Sequence, residues 1–277
     1  MIYIKTKAEI NAIRMGGRLL AQILNELSAA AKPGVSTRVL EDLLVSKIKT
    51  LGGRPAFKDY DMGGGIAFPS GLCASINDEV VHGAALPGRI LKSGDIIDLD
   101  IGMEWPIDPA LRAEHGFPAN PHSPLGGYFS DMCRTVAVGK VSQKAQNLLK
   151  VTKRCLDIGI KKAQPGNTLN DIGTAIQQYA EAAGYGVVRD LVGHGVGYFV
   201  HEEPNVFHYA IKPHSRENIT LKPGMVICIE PMINEGSWQV EVADNDYTIL
   251  TADGSLSAHF EHTVAITERG PEILTLD

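Results

Sequence analysis

Residues 91–100 read Leu-Lys-Ser-Gly-Asp-Ile-Ile-Asp-Leu-Asp, and residues 221–230 read Leu-Lys-Pro-Gly-Met-Val-Ile-Cys-Ile-Glu. Each stretch is a Lys-led, glycine-containing turn followed by an apolar, largely β-branched run, and each ends in an acid, Asp100 or Glu230. A repeat at an offset of roughly 130 residues means one structural unit used twice. Two more landmarks keep the same order and a similar offset. Pro33-Gly34-Val35-Ser36-Thr37 parallels Pro165-Gly166-Asn167-Thr168-Leu169, and Thr135-Val136-Ala137-Val138 parallels Thr263-Val264-Ala265-Ile266.

Working outward, each half reads helix, Pro-Gly turn, helix, then strands. Apolar residues at helical spacing predict helices over 7–31, 38–51, 142–163 and 169–183, and Ser36 and Thr168 suit helix caps. Helices followed by strands in both halves predict an α+β fold, with helices covering a curved, largely antiparallel sheet. We therefore expect a single catalytic domain over 1–277, built of pseudo-repeats at approximately 1–140 and 141–277.

The bulk composition narrows the function. Hydrophobic residues make up 44% of the 277 and charged residues 21%, ordinary for a globular protein with a large core. A net charge of -6 with no Lys/Arg-rich run argues against nucleic acid as a direct partner. The four cysteines, Cys73, Cys133, Cys155 and Cys228, form no C-x-x-C pair and read as buried thiols of a reducing compartment, so a cytoplasmic location is expected. The N-terminal residues show no signal core, and no apolar run is long enough to span a bilayer.

Acids occur where strands should be apolar. Asp98 and Asp100 share strand parity and so face one side. Glu230 interrupts VICIEPMI, while Asp131 and Glu261 lead into apolar strands. Taken singly, each reads as a strand-end residue facing water or a basic partner. Asp100, Asp131, Glu230 and Glu261 together, two of them in equivalent slots of the repeat, need cations, because a buried unpaired carboxylate is very costly. Carboxylates with an imidazole suit a pair of hard-to-borderline divalent ions, whereas structural zinc sites favour Cys. His82, His194 between two glycines, and His201 before Glu202-Glu203-Pro204 stand in unusual company. His115, His122, His208, His214, His259 and His262 read as ordinary core or surface residues.

The strings NDEVVHG, LKSGDIIDLDIG, SDMCRTV, GHGVGYFVHEEP, KPGMVICIEPMI and FEHTVAI, in this order, resemble the type I methionine aminopeptidases, metallopeptidases of the pita-bread fold. The resemblance runs from about residue 5 to the C-terminus. It implies two divalent ions such as Co, Mn or Fe, held by Asp100, Asp131, His194, Glu230 and Glu261, with Asp131 and Glu261 bridging. It implies that Glu230 doubles as proton acceptor, and that His82 and His201 contact substrate. Phe68, Cys73 and Trp238 are expected to form the methionine pocket. The implied substrates are the N-termini of peptides and nascent proteins; ribosome contact, no membrane association and a monomer complete the expectation.

The sequence departs from the family in three places. Residues 104–127 hold five prolines and lengthen the link between Asp100 and Asp131; they read as an inserted loop, a surface elaboration more than a gate on the site. Val200 precedes His201 where an aromatic residue is often found, and Met62-Gly63-Gly64-Gly65 is unusually glycine-rich. The rivals are a proline-directed aminopeptidase or dipeptidase, which usually carries a further N-terminal domain, and a non-enzymatic binding protein, which would have lost ligands.

Overall fold

The computed structural model describes all residues, 1–277. The first half runs α1 (Lys7–Ala30), α2 (Thr37–Thr50), β1 (Arg54–Pro55), β2 (Leu72–Ile76), β3 (Glu79–Val81), β4 (Ile96–Trp105), α3 (Pro109–His115) and β5 (Tyr128–Ala137). The second runs α4 (Gln143–Lys162), α5 (Leu169–Ala182), β6 (Gly186–Val187), β7 (Gly193–Gly195), β8 (Glu202–Val206), β9 (Val226–Ile229), β10 (Met232–Asn234), β11 (Val240–Val242), β12 (Ile249–Thr251), β13 (Ser257–His259), β14 (His262–Thr267) and β15 (Gly270–Ile273). The four expected helices stand within a residue or two of their expected ends.

Local chemistry starts each helix. Thr6 and Glu9 form a reciprocal capping box on α1, and the Ser36 and Ser142 hydroxyls accept from the first turns of α2 and α4. Each helix pair then buries an apolar face on a sheet. In the first half, Leu20, Leu24 and Leu27 of α1 and Leu40, Leu44 and Ile48 of α2 pack with Ile97, Leu99, Ile101 and Met103 of β4. In the second, Leu148, Leu156, Leu169, Ile172 and Ile176 pack with Ile227, Ile229, Val264 and Ile266. A third cluster, including Ile13, Phe57, Phe68, Tyr198 and Cys228, joins residues of both halves.

Both principal sheets are antiparallel. One centres on β4, which pairs with β1, β2 and β5; the other runs β15-β14-β9-β7-β8. The odd residues of β4 supply the helix-facing core, so period-two alternation sends Asp98 and Asp100 to the opposite face. In register with them on β5 are Thr135 against Asp98, Cys133 against Asp100 and Asp131 against Gly102, which puts Asp131 on that same face.

The insertion corrects one boundary and one reading. Glu104 and Trp105 belong to the end of β4, and a capped helix, α3, occupies 109–115 where a loop was expected. Asp108 caps it and Pro109 opens it, the arrangement in which a missing N–H costs nothing.

Candidate metal centre

A cavity of about 340 Å³ opens between the halves, and Asp100, Asp131, His194, Glu230 and Glu261 all line it. Asp131 and Glu261 are 2% exposed, Asp100 and Glu230 8%. One oxygen of each of these four carboxylates is buried without a hydrogen-bond partner. Ligand atoms of Asp131, His194, Cys228 and Glu261 lie within 4.8 Å of one another, and His194 Nε2 lies 3.4 Å from Glu230 Oε1. Orphaned anionic oxygens converging on one imidazole fit divalent cations and little else, since buried charges must be paired.

The protein's own electrostatics agree. Burial, then the neighbouring acids Glu261, Asp100 and Glu230, push Asp131 well above the usual carboxylate range. Burial and the Glu230 charge do the same to Glu261. Asp100 is raised chiefly by burial as well, against the opposing pull of His259. A bound cation would favour the ionised form and oppose these upward shifts.

The surrounding structure presets two of the candidate ligands. His194 sits on β7, wedged between β8 and β9. A side chain at Gly193 would meet the Cys228 carbonyl at 2.4 Å, and one at Gly195 the Glu203 carbonyl at 2.4 Å, so only glycine lets the strands close on the histidine. His194 Nδ1–H donates to Gly195 O at 2.9 Å, which leaves Nε2 with its lone pair toward the acids. The Thr263 hydroxyl takes the Asp131 N–H at 3.0 Å and donates to the Asp131 carbonyl at 2.7 Å, clamping that residue from the other half.

Two histidines read as ordinary at the outset belong here. His259 Nδ1 lies 3.2 Å from Asp98 Oδ2, and its Nε2 lies 3.6 Å from Glu230 Oε2. The Glu230 N–H donates to His208 Nε2 at 3.1 Å. Burial raises Glu230, but the His259 contact and the imidazoles of His194 and His208 outweigh it, so this acid alone of the four is held low. The signal available was Asp98, an acid of the right parity that lacked a partner; His259 carried none, being buried through folding rather than pattern.

Of the residues expected to meet substrate, His82, His201, Phe68 and Cys73 line the cavity. His82 lines the cavity with a φ of 60°, a left-handed conformation costly for a residue with a Cβ and typical of sites under functional constraint. Thr248 Oγ1 donates to its carbonyl at 3.0 Å. His201 stands at the cavity mouth with its ring edge-on to His194, centroids 4.4 Å apart. Phe68 and Cys73 line the interior together with Phe57, Tyr60, Met62 and Met232, which pattern alone did not single out.

Trp238 is placed elsewhere. It lies under Arg189, whose guanidinium carbon is 4.9 Å from the ring centroid, and does not line the cavity. The aromatic residue beside Phe68 is Tyr247, with ring centroids 5.6 Å apart. Trp238 lies close to Glu230 in sequence, but the chain turns away after β10, and Tyr247 returns from the loop between β11 and β12.

With that geometry in view, the relatives are informative. The sequence matches metallopeptidase family M24 over residues 11–106 and 123–268, so the match breaks inside the insertion. A methionine aminopeptidase of Clostridium acetobutylicum is 44% identical over 276 residues, covering 100% of this chain and 99% of that protein. The crystal structure of a methionine aminopeptidase from Thermotoga maritima superposes with a TM-score of 0.87 at 36% identity, covering 100% of both chains. A prolidase from Pyrococcus furiosus shares the fold at a TM-score of 0.70 and 23% identity, with 99% of this chain and 65% of that one covered. The chain belongs to metallopeptidase family M24, among the methionine aminopeptidases.

Proposed function

We propose that this chain hydrolyses the first peptide bond of peptides and nascent proteins that begin with methionine, using two divalent ions held by Asp100, Asp131, His194, Glu230 and Glu261. One observation carries the reading: four buried carboxylates, each with an unpartnered oxygen, converge with His194 on one cavity between the halves. Asp131 and Glu261 come from opposite halves and face each other across the seam, which suits them to bridge two ions. The oxygen-rich set accepts Co, Mn, Fe or similar ions. Bound there, such ions lower the pKa of a coordinated water and polarise the scissile carbonyl.

The chain's residues supply the rest. Glu230, which stands just past the end of β9 and lines the cavity beside His194, is the carboxylate that accepts the water's proton. His201 donates to the carbonyl oxygen as negative charge grows there. His82 holds the scissile nitrogen and delivers a proton to the departing amine. Phe68 and Cys73, with Phe57, Met62 and Met232, form an apolar pocket for a thioether side chain, where sulfur–aromatic contacts favour methionine. Four free buried cysteines accord with a reducing, cytoplasmic setting.

The test joins metal content per chain to release of methionine from Met-Ala-Ser. We expect two ions per chain and cleavage faster than that of Ala-Pro-Ala. Preference for the proline peptide would point to a proline-directed enzyme on the same fold, and full activity after metal removal would refute the mechanism.

A further inference from the structure

An imidazole has two nitrogens, and a neutral ring donates from only one of them. His201 serves a substrate carbonyl only if the hydrogen sits on the nitrogen left free in the cavity. Its Nδ1 lies 2.8 Å from the Tyr60 hydroxyl, the one protein hydrogen bond made by either side chain. The two rings meet edge-on at 80°, centroids 4.9 Å apart.

Tyr60 is held in place by its own arm of the chain. Asp59 N donates to Phe68 O at 3.0 Å, Phe68 N to Tyr60 O at 2.8 Å, and Met62 N to Ile66 O at 2.8 Å, so the base of the arm is paired. Its tip, Gly63-Gly64-Gly65, has φ values of 93°, 64° and 82°, and a Cβ there would meet nothing within 4 Å. These glycines serve the reversal of the chain, not packing. The arm carries Tyr60 and Met62 into the cavity lining from outside both sheets.

We propose that Tyr60 is a positioning residue: its hydroxyl donates to His201 Nδ1, fixes the tautomer with the hydrogen on Nε2, and holds that N–H ready for the substrate's carbonyl oxygen. This rests on the role given to His201 above. It adds a residue from the glycine-tipped arm to the machinery, and it explains why an exposed histidine needs no second partner within the protein.

The test is spectroscopic first. Two-bond 1H–15N correlation spectra of the metal-free, 15N-labelled protein distinguish the two tautomers, with His201 assigned by the signals lost in His201→Asn. The wild type should show the Nε2–H form, and Tyr60→Phe a mixture. With metal restored, Tyr60→Phe should lower kcat on Met-Ala-Ser about fivefold, the loss expected for one hydrogen bond, with KM within about twofold. Tyr60→Leu, which removes the ring as well, should lower kcat at least as much. An unchanged tautomer in Tyr60→Phe overturns the proposal. So does wild-type kcat in Tyr60→Phe alongside a loss in Tyr60→Leu, which would leave only ring packing. Wild-type kcat in His201→Ala would instead overturn the reading of His201 on which it stands.

Discussion

In the first half β4 runs unbroken for ten residues and pairs with β5 along its whole length, so Asp100 is fixed by backbone hydrogen bonds on both sides. In the second half β9 stops at Ile229, and the equivalent acid, Glu230, stands in the gap before β10, followed by Pro231. The ladder holds Asp100; side chains hold Glu230. His208 takes its N–H and His259 faces its carboxylate. A ligand that only binds is best made rigid, whereas a group that must also accept a proton needs its basicity set by neighbours. The repeat supplies two equivalent slots, and the break in one of them makes the two acids chemically different.

The halves also clamp each other. Thr263 of the second half bonds both backbone groups of Asp131, and Thr135 of the first bonds both backbone groups of His259 at 2.8 Å. The two threonines are 128 residues apart (263 − 135), as are the two residues they grip (259 − 131). One clamp therefore holds Asp131, the proposed bridging ligand, and its counterpart holds the histidine beside Glu230.

The sharpest way to break this comparison is to neutralise the paired acids. Asp100→Asn and Glu230→Gln should each weaken metal binding, but Glu230→Gln should lose about 100-fold more kcat, because it also removes the proton acceptor. Equal losses, measured at saturating metal with occupancy checked by calorimetry, would show that both acids act as ligands alone. Asp131→Ala or Glu261→Ala should abolish metal binding and turnover while circular dichroism stays native.

A smaller effect probes what holds Glu230. His259→Leu removes the partner of both Asp98 and Glu230 and leaves a buried acid exposed to repulsion. We expect about 10-fold weaker metal affinity, the scale of losing an outer partner of a ligand. Unaltered affinity would mean that the Glu230 backbone contact with His208 suffices. Next come the clamps: Thr135→Val and Thr263→Val each orphan buried backbone groups and should cost about 1–3 kcal/mol in urea unfolding. Only Thr263→Val should also weaken metal binding, since only that threonine holds a ligand directly.

Much of this was readable in advance, for identifiable reasons. Helix ends were legible because caps and Pro-Gly turns are local chemistry. The convergence of Asp100, Asp131, Glu230 and Glu261 on one cavity was legible because acids within apolar strands violate a strong rule, and the repeat marked two of them as equivalent; His194 joined them as a candidate ligand only through the family resemblance. His259 and His208 were not, because their meaning lies in contacts 22 to 161 residues away in sequence. The pocket was only half legible. Phe68 and Cys73 lie next to the motifs, but Tyr60 and Met62 arrive on turns whose path depends on tertiary packing, and nearness in sequence favoured Trp238, which does not line the cavity.

The smallest expected effect concerns the feature that one half has and the other lacks. Asn120, buried in the insertion, donates to Gly127 O at 2.7 Å and to Tyr198 O at 2.9 Å, and its own side-chain oxygen accepts from His122 N at 3.0 Å. Tyr198 lies three residues before His201, and its hydroxyl donates to Glu9 Oε1 at 2.7 Å. The insertion thus grips the strap that carries His201, the proposed donor to the substrate carbonyl, although none of residues 107–127 lines the cavity. Asn120→Ala would leave two carbonyls without their donor and should cost about 1–2 kcal/mol, a Tm lower by about 2–6 °C for a chain of this size. Because Lys5 and Glu202 pair in the interior beneath the same strap at 2.5 Å, its position should survive, and kcat/KM on Met-Ala-Ser should stay within about threefold. A tenfold loss at a temperature where the variant is fully folded would mean that the insertion sets the geometry of His201, and that the asymmetry between the halves reaches the chemistry as well as the surface.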